Sequence, residues 1–206
     1  MKITVLGASG ALGLQLTQQA LERGHDVVAV ARTPERITVP DSDRLYRVTA
    51  DVHDPHAMSA ALGTGATIVS GLGIAEGEKP GALTAGARAA VAGTPVHVVW
   101  VGAFGTGQSA PVAGGLTRTL LGRFMREEIP DRVGADTTVL DAGGTVFHAG
   151  PYSNGALSDR RRTLTLGEVR HRMFPARISR ATVAAAMLDE AEAPKHSGQT
   201  VVPLEK

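Results

Sequence analysis

Short apolar runs alternate along this chain with longer segments in which apolar residues recur every three or four positions. The short runs predict buried strands, and the longer segments predict helices with one apolar face. The predicted strands cover residues 3–6, 27–31, 45–50, 67–70, 96–101 and 145–149, with a terminal strand at 201–202. The predicted helices cover residues 11–23, a short segment that begins near 54–55, and residues 82–92, 116–128, 131–142 and 181–192.

This regular alternation of strand and helix is typical of an α/β protein with a parallel sheet. We therefore predict a Rossmann-type, doubly wound, mostly parallel sheet with helices on both faces. No repeat or linker divides the chain, so residues 1–206 are expected to form one domain, with a small substrate-facing part built from about 150–180. The Gly/Pro/Ser-rich segments 74–81 and 105–115 follow predicted strands, at the edge where open α/β sheets bind ligands.

Composition narrows the classes of function. The formal charge is +1, so no strongly basic surface for nucleic acid is predicted. The absence of cysteine excludes disulfides, thiolate metal sites and thiol nucleophiles. No apolar stretch is long enough to predict a membrane span. Met1 and Lys2 lead directly into a strand rather than a signal peptide, so a cytoplasmic protein is expected. We expect a monomer or a weak homodimer that acts on a small molecule.

The strongest motif is a glycine loop directly after the first predicted strand. It reads Gly7-Ala8-Ser9-Gly10-Ala11-Leu12-Gly13 and opens the first predicted helix. Glycines in such a loop permit a tight turn, a close approach of the backbone to a pyrophosphate and close packing of helix on strand. The helix N-terminus then offers N–H groups and a positive dipole end to the phosphates. The spacing G-x-x-G-x-x-G differs from that of most dehydrogenases.

The end of the second strand indicates which dinucleotide binds. NAD-specific proteins place an acidic residue there for the ribose 2′-hydroxyl. This chain has Arg32, followed by Arg36, and its Asp26 lies at the opposite end of the strand. A guanidinium pairs with a 2′-phosphate, so NADP(H) is the predicted cofactor. After the third strand, Asp51 could accept from the adenine amino group while Val52 packs on the ring; a helix cap or turn is the alternative for Asp51.

With these pieces placed, the sequence resembles the atypical short-chain dehydrogenase/reductase superfamily in its NAD(P)H-binding branch, and most of all the biliverdin reductase B/flavin reductase type. The resemblance spans nearly the whole chain. Besides the glycine loop, Arg32 and Asp51-Val52, it rests on Ser70-Gly71-Leu72-Gly73, Val101-Gly102-Ala103-Phe104, Ala149-Gly150-Pro151-Tyr152 and Arg177-Ile178-Ser179.

The resemblance implies hydride transfer from NADPH to a planar acceptor such as a flavin, quinone or tetrapyrrole. It also implies that Gly71, Leu72, Gly73, Gly102, Ala103 and Pro151 lie along the cofactor. The Tyr-x-x-x-Lys pair of mainstream members is absent, the fifth strand ends without the usual Ser or Thr, and the Arg-Pro-Gly of the sixth strand is replaced. Gly71 to Gly73 and Gly102-Ala103 are expected to leave open space that suits a flat acceptor.

Tyr152 is the candidate for contact with the nicotinamide or acceptor, by stacking or by a hydrogen bond; a tyrosine packed over a Pro turn is the alternative. His148, between Phe147 and Ala149, is interpreted as a satisfied core histidine. His53 and His56 match no familiar metal-ligand spacing, so no metal site is predicted. The basic patch of Arg160 to Arg162 with Arg170 to Arg172 is either a solvated hairpin or an attractor of an anionic acceptor.

Two functions therefore compete. The first is a reductase that uses NADPH without the Tyr/Lys pair, since the cofactor carries the difficult chemistry and the protein orients it. The second is an NADP(H)-sensing regulatory protein of the same superfamily, which would keep the loop without turnover. An isomerase or epimerase that uses bound NADP is a third, weaker alternative.

Overall fold

The alternating pattern folds into an eight-stranded sheet covered by helices on both faces. The structure is a computed structural model that describes residues 1–74, 80–169 and 176–205. Its strands are β1 (Lys2–Leu6), β2 (Asp26–Ala31), β3 (Leu45–Thr49), β4 (Thr67–Ser70), β5 (His97–Ala103), β6 (Thr145–Ala149), β7 (Tyr152–Ser153), β8 (Arg162–Thr165), β9 (Ile178–Ser179) and β10 (Thr200–Leu204). Its α-helices are α1 (Ala11–Glu22), α2 (Pro55–Leu62), α3 (Ala82–Ala92), α4 (Gly115–Phe124), α5 (Ile129–Asp141) and α6 (Arg180–Glu192).

The strand order of the large sheet is β3-β2-β1-β4-β5-β6-β10-β8. All neighbouring pairs from β3 to β10 are parallel, and β8 is antiparallel to β10. The first six strands follow the order of a doubly wound dinucleotide-binding sheet, which confirms the predicted fold class. The order reverses between β1 and β4, and this switch point is where such sheets bind ligands.

Two hydrophobic clusters pack on the two faces of the sheet. On one face α1 and α6 contribute Leu16, Val183 and Met187, all without exposed surface. On the other face α2, α3 and α5 contribute buried side chains such as Met58 and Val139. The β1 residues Ile3 and Val5 face the first cluster, and Leu6 faces the second. Burial on both faces explains why the strands read as continuous apolar runs.

The helix predicted over residues 116–128 is too long. α4 ends at Phe124, and α5 begins at Ile129 with Pro130 in its first turn. Proline suits that position because its missing N–H would have no intrahelical partner there. The predicted part 150–180 contains β7, β8 and β9, and β7 pairs with β9 in a separate two-stranded sheet. In the part of the chain that the structure describes, no helix is long and apolar enough to cross a membrane.

Candidate functional site

A cleft of about 830 Å³ runs along the carboxyl ends of the central strands. It is lined at one end by the glycine loop and the end of β2, in the middle by the ends of β4 and β5, and at the other end by the turn after β6. The predicted site residues in its lining are Gly7, Ser9, Gly10, Ala11, Leu12, Arg32, Arg36, Val52, Gly71, Leu72, Gly73, Gly102, Ala103, Pro151 and Tyr152. One cleft thus joins almost all the residues that the sequence nominates.

The glycine loop is held in a form that only glycine allows. Gly7 has φ +70°, a left-handed conformation, and Gly10 N donates to Gly7 O at 3.0 Å. A Cβ at Gly13 would overlap the Gly7 carbonyl oxygen and lie 2.7 Å from the Cα of Ala8. Gly13 therefore serves the close packing of α1 on the loop rather than the wall of the cleft, where it is not found.

The start of α1 is open to an anion. Gly10 is the N-cap residue, and no side-chain hydrogen bond caps the helix in the described structure. The first-turn N–H groups of a helix have no intrahelical acceptor, and the dipole adds positive potential. Because Gly10, Ala11 and Leu12 also line the cleft, a pyrophosphate fits this helix start.

Both arginines at the end of β2 reach the same cleft. Arg32 and Arg36 are exposed and line it, whereas Asp26 begins β2 at the opposite end of the strand. A phosphate at this end would meet two guanidiniums. The preference for NADP(H) over NAD(H) stays a prediction.

Asp51 takes part in a turn. Its Oδ1 accepts from the backbone N–H of His53 at 2.9 Å, and it is not among the described residues that line the cleft. The cap of α2 is Asp54, whose Oδ1 accepts from His56 N and Ala57 N. The geometry therefore supports the turn interpretation, and a contact of Asp51 with adenine stays a prediction. Val52 does line the cleft.

Of the three glycines in the middle of the cleft, one leaves space and two do not. A Cβ at Gly71 would lie 3.1 Å from the backbone nitrogen of Gly13, so the space expected there is filled by the start of α1. A Cβ at Gly73 would meet nothing within 4 Å, so this position is open as expected. A Cβ at Gly102 would lie 2.6 Å from the ring of His148 and 3.0 Å from Asp136 Oδ1. The expectation that Gly102 opens space for an acceptor is wrong, because a buried histidine occupies the side-chain side of that glycine.

His148 is the centre of a buried polar cluster. Its Nδ1 lies 2.6 Å from Ser109 Oγ and its Nε2 lies 2.9 Å from Asp136 Oδ2. Ser109 Oγ in turn accepts from Gly105 N at 2.8 Å. The histidine and the serine have no exposed surface, so the cluster fixes the loop after β5 to β6 and α5. This confirms the interpretation of His148 as a satisfied core histidine.

The far end of the cleft brings together Tyr152, Arg132 and Arg180. The Arg180 guanidinium lies 5.0 Å from the centroid of the Tyr152 ring. Burial raises the pKa of Tyr152 to about 12, and the charges of Arg180 and Arg132 oppose this shift only in part. The phenol therefore stays protonated near neutral pH and can donate a hydrogen bond.

Several residues that line the cleft belong to no motif of the sequence. They are Ile74, Thr117, Leu120, Leu121, Met125, Arg132 and Arg180. Leu120 and Leu121 of α4, with Met125 directly after it, follow a pattern that signals only an amphipathic helix. The one local signal is Arg180, a cation in the first turn of a helix, where the dipole disfavours it.

The basic patch does not act as one group. The guanidinium of Arg161 donates to both carboxylate oxygens of Asp189, at 2.7 and 3.0 Å. This bidentate pair and its neighbours raise the pKa of Arg161. Arg162 belongs to β8, and Arg170, His171 and Arg172 lie outside the described residues.

These features define a doubly wound nucleotide-binding protein, and comparison with known proteins specifies the family. The model of the NAD(P)H-binding family matches residues 7–194. The chain therefore belongs to the NAD(P)H-binding family, which confirms the resemblance seen in the sequence.

Solved structures share the fold. The chain is similar to the anaerobilin reductase ChuY from Escherichia coli O157:H7, with a TM-score of 0.78, 20% identity, and coverage of 100% of this chain and 97% of that chain. It is also similar to a short-chain dehydrogenase/reductase from Veillonella parvula in complex with NADP, with a TM-score of 0.80, 16% identity, and coverage of 99% and 94%.

Among curated proteins, an uncharacterised protein of Mycobacterium tuberculosis is 42% identical over 72 residues, which is 34% of this chain. The chain spans only 8% of the length of that relative, and the same holds for the matching protein of Mycobacterium bovis.

Proposed function

We propose that this protein is an NADP(H)-dependent reductase that transfers hydride to a planar acceptor of the flavin, quinone or tetrapyrrole kind. The observation that carries the proposal is the single cleft, which continues from the glycine loop into an apolar far section. The far section ends at Tyr152, whose phenol is protonated at neutral pH. Among the described residues that line this section, no two form an acid–base pair.

The near half of the cleft suits the dinucleotide. The start of α1 offers its N–H groups to the pyrophosphate, Arg32 and Arg36 suit the 2′-phosphate, and Val52 with Met58 offers an apolar wall to the adenine. A carboxylate at the end of β2 would repel that phosphate. This charge pattern supports NADP(H) over NAD(H).

The far half suits a flat, apolar acceptor. Its walls include Phe104, Leu120, Leu121 and Met125, with Tyr152 at the end. Methionine and aromatic side chains adapt to planar rings of different size. Glycine at position 73 leaves the passage between the two halves open.

The chain needs to supply little acid–base chemistry for this reaction. NADPH supplies the hydride, a proton from water completes the two-electron reduction, and NADP⁺ and the reduced acceptor are the products. Tyr152 orients the acceptor through its ring and its hydroxyl donor rather than by ionising. Two proteins of similar fold, an anaerobilin reductase and a short-chain dehydrogenase/reductase in complex with NADP, support an NADP(H)-dependent reductase by analogy.

Turnover tests the proposal. The protein is mixed with NADPH and, in turn, FMN, riboflavin, a quinone and a linear tetrapyrrole, and the loss of reduced-nicotinamide absorbance is followed. We expect turnover with at least one acceptor, and its loss in Gly13→Ala. Gly122→Ala is the matched control, because a Cβ at this exposed helical position meets nothing within 4 Å. Tight NADPH binding without turnover of any acceptor would contradict the reductase and favour the NADP(H)-sensing regulator. The cytoplasm is the proposed location, which cell fractionation tests.

A further inference from the structure

The cleft carries charge of one sign. Among the described residues that line it, four are arginines and none is Asp or Glu; the arginines are Arg32, Arg36, Arg132 and Arg180. The whole chain is nearly neutral, with 21 basic and 20 acidic residues. The excess in the cleft is therefore local, and it indicates a ligand with negative charge at the places where the arginines lie.

The four arginines form two pairs at opposite ends. Arg32 and Arg36 follow β2, whereas Arg132 and Arg180 lie beside Tyr152, which follows β6. Between β2 and β6 stand β1, β4 and β5, so four inter-strand gaps separate the ends by roughly 19 Å. The phosphates of the proposed dinucleotide belong at the first pair and at α1. The second pair is therefore left for the acceptor.

The charge of the second pair is only partly neutralised by partners in the described structure. Arg180 Nη1 donates to Asn154 Oδ1 at 2.6 Å, a neutral partner, and within the described residues no carboxylate forms an ion pair with Arg180. Arg132 Nη2 donates to Glu128 Oε2 at 2.9 Å, but its Nε is buried and has no hydrogen-bond partner in the described structure. Buried guanidinium donors normally have partners, so this guanidinium is incompletely satisfied, and the 17% of its side chain that is exposed lines the cleft.

The charge of Arg180 is also unfavourable at its position in the helix. It is the first residue of α6, and the first turn of this helix contains no acidic residue. The N-terminus of a helix carries positive potential and favours anions over cations. A residue that breaks a local rule in this way is expected at a functional position.

We propose that Arg132 and Arg180 form an anion subsite that holds the carboxylate or phosphate group of the acceptor while its ring lies against Tyr152. The acceptor is then an acidic planar molecule rather than a neutral quinone. The proposal rests on the reductase function above. This subsite, rather than the basic patch at Arg160 to Arg162, then binds the anionic group of the acceptor, since Arg161 is already paired with Asp189.

Matched acceptors that differ only in the acidic group test the subsite. FMN and riboflavin differ by a phosphate, and a linear tetrapyrrole with free propionates differs from its dimethyl ester by the carboxylates. We expect the acidic member of at least one pair to be preferred roughly tenfold or more in kcat/KM, as charge-assisted hydrogen bonds require. The pair that shows the preference identifies phosphate or carboxylate as the natural anion.

The variants are Arg180→Gln and Arg132→Gln. Each is expected to lower kcat/KM for the acidic acceptor about tenfold more than kcat/KM for its neutral counterpart, mainly through KM. Arg118→Gln, on an exposed side chain of α4 outside the cleft lining, is the matched control and should change nothing. Arg180→Lys keeps the charge and should restore part of the preference. Equal losses for acidic and neutral acceptors would overturn the subsite.

Equilibrium binding separates failure of the subsite from failure of the reductase. The flavins and tetrapyrroles are titrated into NADP⁺-saturated protein, with thermal unfolding of each variant as the folding check. Preferential binding of the acidic member, lost in Arg180→Gln, supports the subsite even when no acceptor is reduced. Equal binding of both members of both pairs by the wild type would overturn it, whatever the turnover result.

Discussion

The carboxylate of Asp131 should be a large single contribution to the stability of the cleft wall. Asp131 lies on α5 but caps the neighbouring helix α3: its carboxylate accepts from the backbone N–H groups of Gly81 at 2.7 Å, Thr84 at 2.9 Å and Leu83 at 3.2 Å. Only 6% of the residue is exposed. The cap therefore joins two helices that both contribute to the cleft, through Ala82 and Arg132.

The magnitude follows from these contacts. Asp131→Ala leaves three N–H groups without their acceptor, and each such group costs about 1–3 kcal/mol when buried. Water can reach Gly81 and Thr84, which are partly exposed, so we expect a loss of about 3 kcal/mol in the free energy of unfolding. For a chain of this length that is a fall in Tm of about 6–12 °C. Asp131→Asn keeps one acceptor oxygen and should lose about half as much.

The pH dependence gives the sharper test. Burial alone would raise the pKa of Asp131, but hydrogen bonds from the Thr84 side chain and from the backbone of Gly81, Thr84 and Leu83 outweigh it and lower the pKa. A carboxyl group whose pKa is lowered by folding stabilises the protein above its unfolded pKa, and this contribution is lost as the pH falls through the folded pKa. The advantage of wild type over Asp131→Asn should thus be full at neutral pH and shrink below about pH 4.

Thermal or urea unfolding of the three proteins across this pH range measures the effect. Asp41→Asn is the control, because Asp41 also pairs with a cation but its side chain is 92% exposed. Such surface pairs contribute little. If Asp131→Ala proved as stable as Asp41→Asn at neutral pH, or if the difference did not change with pH, the capping account would be refuted.

Three further predictions concern the cofactor and the acceptor. Arg32→Asp should weaken NADPH binding by about tenfold or more and affect NADH binding far less, since a carboxylate repels the 2′-phosphate. Titration of wild type and variant with both cofactors measures the two affinities. Equal affinities of the wild type for NADPH and NADH would contradict the role of Arg32. Gly13→Ala should abolish binding of both cofactors, because its Cβ overlaps the Gly7 carbonyl oxygen, and binding at wild-type affinity would show that the loop is not the phosphate site. Tyr152→Phe should lower acceptor affinity by about tenfold at most. The pH profile of kcat should stay the same between pH 6 and about 10, since burial raises the pKa of Tyr152 to about 12. Loss of a pH-dependent limb of that profile in the variant would instead identify Tyr152 as a proton donor.

The features that could be predicted from the sequence are local ones. The run from β1 through the glycine loop to α1 is continuous in sequence, so hydrophobic periodicity and glycine spacing locate it without tertiary information. The same holds for Arg32, which directly follows the second apolar run and lies at the end of β2.

The far half of the cleft could not be predicted in this way because it is assembled from distant segments. Arg132 and Arg180 are 48 positions apart in sequence, and only the packing of α5 and α6 at the end of β6 brings both to Tyr152. Gly102 illustrates a second limit. The sequence shows that Gly102 has no side chain, but it does not show which face of the sheet a side chain there would point to. In the structure, His148 fills the space on that face.

Single-turnover mixing under anaerobic conditions tests the central claim most directly. Excess protein is mixed with NADPH and FMN, and the experiment is repeated with NADPH that carries deuterium at the transferred position. We expect loss of the reduced nicotinamide and of oxidised FMN at one common rate, and a slower rate with the deuterated cofactor, since hydride passes directly between two ligands in one cleft. If bound NADPH persisted unchanged beside FMN and every other acidic planar acceptor, the protein would bind the dinucleotide without reducing anything, and the account would be contradicted.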